Sequence, residues 1–177
     1  MASGSRIRDS PTVWMATILV LVYVLTGILG GNLLDLNLEF VYPIAQVNAA
    51  VWSGAVWMLF TSLFLHANPL HLMGNIIFLL IFGTSLEEKV SRKRWLIVFF
   101  ASGLLGNIAF LFFGGNEIGV GASGAIWGLL ATAGGFRGLI GMMFYIGLNL
   151  FAGGGFLAHA GGLLAGLIFR YSWFRKL

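Results

Sequence analysis

Three stretches of this chain set polar side chains inside otherwise apolar sequence. The first is Gly121-Ala122-Ser123-Gly124-Ala125-Ile126-Trp127-Gly128, a hydroxyl wrapped in small residues. The second holds His66, His71 and Asn75, and the third is Ala158-His159-Ala160-Gly161-Gly162 running on to Gly166. A hydroxyl and an imidazole are the minimum for nucleophilic acyl transfer. His159 would take the Ser123 proton and later return it to a leaving amine. His71 and Asn75 stand four apart and share one helix face. Their side chains, with the Ser123 N–H, could hold a developing oxyanion. No carboxylate is expected near them in depth, so a Ser-His dyad is favoured over a triad. The sequence has no H-E-x-x-H and no cysteine, so neither a metal nor another cofactor is expected.

Each feature also has a plainer reading. Small residues let membrane helices approach closely, and His, Asn and Ser serve as interhelical glue. Gly124 and Gly128 on one segment, and Ala158, Gly162 and Gly166 on another, have that spacing. Packing and catalysis are compatible here, because close backbone approach is what a Ser-His contact needs. Gly121 would let backbone come near a ligand.

The elements that must position these groups are set by composition. The chain has 177 residues, 59% hydrophobic and 9% charged, with a mean hydropathy of +0.94. That is an all-α polytopic membrane protein and excludes an ordinary soluble domain. The pI near 9.9 does not indicate nucleic acid; the basic residues flank apolar runs and form no continuous patch.

Residues 1–11 read as a flexible cytoplasmic tail and 12–177 as a single membrane domain. Six spans are expected, at about 12–30, 66–86, 95–113, 121–136, 139–152 and 157–173. Between the first two, residues 32–57 are too polar for a clean span and too apolar for a solvated loop. They fit an interfacial loop of short amphipathic helices, with Tyr42, Trp52 and Trp57 at headgroup depth. The fourth span is short, so its buried start would leave a wet dip above Ser123. All ten Lys and Arg residues fall in the tail, the 2–3 turn, the 4–5 turn or the C-terminal end. The positive-inside rule then puts both termini in the cytoplasm and opens the Ser123 end of span four outward.

With these motifs in order, the chain resembles rhomboid intramembrane serine proteases of the minimal six-helix prokaryotic type, from residue 12 onward. The family's G-x-S-G matches Gly121 to Gly124, its H-x4-H-x3-N matches His66, His71 and Asn75, and its A-H-x-x-G-x-x-x-G matches Ala158 to Gly166. The resemblance implies Ser123 as nucleophile, His159 as base, and His71 and Asn75 as oxyanion donors. It makes His66 structural, and Glu87, which matches a family acidic position, structural as well. It also implies a prokaryotic cytoplasmic membrane, substrates that are transmembrane segments of other proteins, and a lateral gate near Phe144 and Tyr145 on span five. Two positions depart from the family pattern. Trp57-Met58 stands where Trp-Arg is usual, and Trp127 replaces a Tyr that stacks on the histidine.

Two other functions compete with proteolysis. A catalytically silent rhomboid-like binder or chaperone of membrane helices would ordinarily lack the serine or the histidine. A small transporter would need charged intramembrane coupling residues and inverted repeats.

Overall fold

The computed structural model describes residues 9–134 and 155–174. Helix α1 spans Pro11–Leu29, and the first loop carries three short helices, α2 Leu38–Val41, α3 Asn48–Trp52 and α4 Met58–Thr61. Helix α5 spans Pro69–Glu87 and α6 Arg92–Phe113. Helix α7 covers 123–134 of the described residues, and α8 spans Phe156–Phe174. Among the described residues, α1, α5 and α6 are long and apolar enough to cross a membrane. Polar His159 and Arg170 dilute the apolar character of α8. The fifth span expected at 139–152, with Phe144 and Tyr145, lies outside the described residues, as do residues 1–8 of the tail.

Capping chemistry sets where these helices begin. Ser10 Oγ accepts the Val13 N–H, Asn68 Oδ1 accepts the His71 N–H and Ser91 Oγ accepts the Arg94 N–H. Pro11 and Pro69 follow two of these caps, where a missing N–H costs nothing. Span two therefore begins at Pro69 and not at 66, leaving His66 in the loop before it. Ser10 and Pro11, read as tail, belong to the start of α1. Ser10 Oγ and Thr12 Oγ1 both donate to Glu87 Oε2, at 2.8 and 2.7 Å, tying α1 to the end of α5. Asp9 and Arg92 form an ion pair at 2.9 Å beside this junction.

The core gathers Leu19 of α1, Leu79 of α5, Trp95 and Phe99 of α6 and Leu129 of α7, all without exposed surface. Trp95 stacks on Phe99 and donates its indole N–H to Gly83 O at 2.9 Å. Leu21, Leu25, Ile28 and Leu29 of α1 stay exposed on the outside of the bundle, as a lipid-facing surface requires.

The first loop does form short helices, with Tyr42, Trp52 and Trp57 exposed. It also contains something the all-helical reading did not include. Strand β1, Gln46–Val47, pairs antiparallel with β2, Ile118–Gly119, with Gln46 opposite Gly119 and Val47 opposite Ile118. This two-residue ladder fastens the first loop to the segment leading into α7.

Candidate active site

Helix α7 starts at Ser123, and α8 carries His159 one turn from its start. Close packing brings the two together. A Cβ built on Gly162 would strike the Gly124 carbonyl, and one on Gly166 would strike the Gly128 carbonyl. Thr132 Oγ1 donates to Gly128 O at 2.8 Å and to Gly166 O at 3.0 Å, cross-linking the same pair. Helix α6 backs both, with no room for a Cβ at Gly106 against Ala158 O. At the top of this seam, His159 Nε2 lies 2.7 Å from Ser123 Oγ. The Trp127 ring lies against the His159 imidazole, centroids 5.4 Å apart and planes tilted by 34°. Gly155, at φ +86°, sits beside the same ring, where a Cβ would fall 3.5 Å from its Cε1 and Nε2. Among the described residues no carboxylate contacts His159.

His71 approaches from α5. The Ala67 N–H donates to its Nδ1 at 3.3 Å, so in the neutral ring the proton sits on Nε2. That nitrogen faces Gly121, where a Cβ would come within 3.0 Å of it and 3.9 Å of Ser123 Oγ. Gly121 has φ +125°, a conformation side chains rarely adopt, so glycine is required there twice over. Asn75 donates Nδ2 to His71 O at 2.9 Å, and its buried Oδ1 has no partner among the described residues. The Ser123 N–H lies in the first turn of α7, where no carbonyl within the helix takes it.

Ser123, His159, His71, Asn75 and Gly121 all line one hollow of about 560 Å³. His66 does not. Fully buried in the loop ahead of α5, it packs edge-on against His71 with centroids 5.2 Å apart. Burial, reinforced by His71, pushes its imidazole down to about 3. This buried ring, packed against His71, restrains that side chain.

Three residues of the site went unread in the sequence. Asn107 of α6 lines the hollow and donates Nδ2 to Leu59 O at 2.7 Å and to Ser62 Oγ at 3.0 Å. Ser62 O in turn accepts the Gly121 N–H at 3.0 Å, so this pair fixes the turn that leads into Ser123. An amide inside an apolar span is costly and was as visible as Asn75. The third is Glu117, a carboxylate in the wall of the same hollow, where none was expected. Among the described residues no group of His, Cys, Asp and Glu gathers as a metal-binding cluster.

The family pattern described as the Rhomboid domain matches residues 53–176, more than half of the chain. Rhomboid-like protease 3 of Toxoplasma gondii is 29% identical over 97 residues, covering 54% of this chain and 36% of the relative. The matched region thus spans about a third of that relative's length. With its family pattern covering every polar residue of the hollow, and with long apolar helices around it, the chain belongs to the rhomboid family of integral membrane proteins.

Proposed function

We propose that this protein is an intramembrane serine endopeptidase that hydrolyses peptide bonds in or near transmembrane segments of other membrane proteins. The observation that carries the reading is the 2.7 Å contact between Ser123 Oγ and His159 Nε2 at the wall of an open hollow. His159 Nε2 accepts the Ser123 proton as Oγ bonds to the scissile carbonyl carbon. The negative charge that moves onto the carbonyl oxygen is taken up by the Ser123 N–H and the His71 Nε2–H. The second Asn75 amide proton joins them once its side chain turns toward the hollow. The C–N bond then breaks, and the proton held by His159 leaves on the departing amine. A water, deprotonated by the same imidazole, cleaves the acyl ester and returns Ser123 to its starting state. Among the described residues no acid contacts the imidazole. The Trp127 ring and the Gly155 backbone pack against it.

The substrate follows from the surroundings. A transmembrane helix hides its carbonyls in its own hydrogen bonds and must unwind to present one to Ser123. Glycine or proline near the cut would ease this. The full architecture is read as six spans in a prokaryotic cytoplasmic membrane, both termini cytoplasmic and the hollow opening outward. Membrane lipids surround it, and no nucleic acid or metal takes part. Phe144 and Tyr145 are proposed as the lateral gate by resemblance alone.

The test is cleavage of a reporter transmembrane segment in proteoliposomes. The purified protein is expected to cut it at one bond, and Ser123→Ala and His159→Ala to leave it whole. Cleavage undiminished in Ser123→Ala defeats the proposal. Tight binding of the reporter with no cleavage by the unaltered chain would favour the silent helix binder.

A further inference from the structure

Among the described residues, Glu117 is the charged side chain in the wall of the hollow, and the proposed reaction does not use it. Its side chain is exposed, and among the described residues it has no ion pair or side-chain hydrogen bond. Among the described residues no Lys or Arg lines the hollow to neutralise it. His71 supplies no cation either, because a ring that accepts the Ala67 N–H at Nδ1 is uncharged.

A lone exposed glutamate is ordinarily a solvated loop residue. Here the loop is held in place. Asn48 Nδ2 donates to Phe110 O at 3.1 Å and to Gly115 O at 2.9 Å, and β2 is paired with β1 directly after Glu117. The backbone that carries the carboxylate is therefore held at the wall, beside apolar residues that concentrate its field. Residues 117–121 follow one another along the hollow, and Gly121 abuts His71. Four residues of chain reach no more than about 14 Å. A substrate lying extended in the hollow would carry its own residues past Glu117 within about four positions of the bond being cut.

We propose that Glu117 is a specificity determinant selecting transmembrane substrates with a Lys or Arg a few residues from the scissile bond. This rests on the protease reading above. The selection would be informative, because Lys and Arg concentrate on the cytoplasmic flanks of membrane proteins. A basic residue on the outer flank marks a minority of them, and an acidic lip facing outward would pick out that minority.

The experiment uses the full chain in proteoliposomes and reporter segments that differ at one position. Lys, Gln or Glu is placed in turn at two to six residues on either side of the cut. An exposed ion pair is worth a factor of about 2 to 5 in kcat/KM. At one or more positions the Lys reporter should therefore exceed the Glu reporter by about that factor at low salt, and by less at high salt. Glu117→Gln should bring the ratio to about 1 and Glu117→Lys should invert it. The same ratio in unaltered protein and Glu117→Gln at every position overturns the proposal, as does no preference in the unaltered protein. If the unaltered chain cuts no reporter, the protease reading itself fails and this proposal falls with it. If it cuts all reporters without regard to residue 117, only this proposal falls.

Discussion

Replacing Gly121 by Ala should disable turnover without touching either reacting group. The new Cβ would lie 2.9 Å from His71 Cε1 and 3.0 Å from Nε2, about 0.5 Å inside ordinary contact. The imidazole has little freedom to retreat, since Ala67 N–H holds its Nδ1 and His66 packs on its edge. At φ +125° the alanine backbone is strained as well, by about 1–3 kcal/mol. Loss of one oxyanion donor costs about 10²–10³ in kcat. Because His71 is displaced and not removed, the lower figure applies, about 100-fold in kcat with KM changed by less than about threefold. The assay is initial-rate cleavage of a reporter in proteoliposomes, with Gly121→Ala measured in both the parent and a His71→Ala background. If the methyl acts through His71, it should cost less than about fivefold once that ring is gone. A Gly121→Ala protein within about threefold of parent refutes the reasoning, as does a full 100-fold loss in the His71→Ala background.

Three further outcomes test the frame around the site. Gly162→Leu should part α7 from α8 and abolish cleavage, because even a Cβ there strikes the Gly124 carbonyl; retained activity would show that the seam does not set the Ser-His contact. Gly74→Ala is its counterpart on α5, with nothing within 4 Å of the added carbon. It should leave kcat unchanged and raise stability by about 0.5–1 kcal/mol in thermal unfolding in detergent micelles. Glu87→Gln removes the charged acceptor shared by Ser10 and Thr12, and should lower stability by about 1–3 kcal/mol while activity per folded molecule stays the same.

The parts of this fold that were legible in the sequence are those written in local pattern. Apolar runs of the right length announced α1, α5 and α6, and the glycine spacing around Gly124 and Gly162 announced a close seam. Helix starts lie up to three residues from the hydropathy boundaries because capping by Asn68 or Ser91 outweighs hydropathy there. What stayed hidden depends on distant chain segments meeting. Gln46 and Asn48 looked like interruptions of an apolar run. In the fold both are buried, donating to Asn107 O, Phe110 O and Gly115 O. Two paired residues per strand are too short to carry alternation, so β1 and β2 left no periodic trace. Glu117 reads as a loop acid until that ladder turns it into the wall of the hollow. Asn107 is a different case: its cost inside an apolar helix was as plain as that of Asn75 and His71, and the same argument applied to it would have found it.

The central claim is that Ser123 is a nucleophile because His159 takes its proton. A fluorophosphonate reacts covalently only with such an activated hydroxyl, so mapping its adduct by mass spectrometry tests the claim most directly. The account predicts one adduct, on Ser123, absent in Ser123→Ala and formed at least about 100-fold more slowly in His159→Ala. Equal labelling of Ser123→Ala, or a rate that ignores His159, would contradict it.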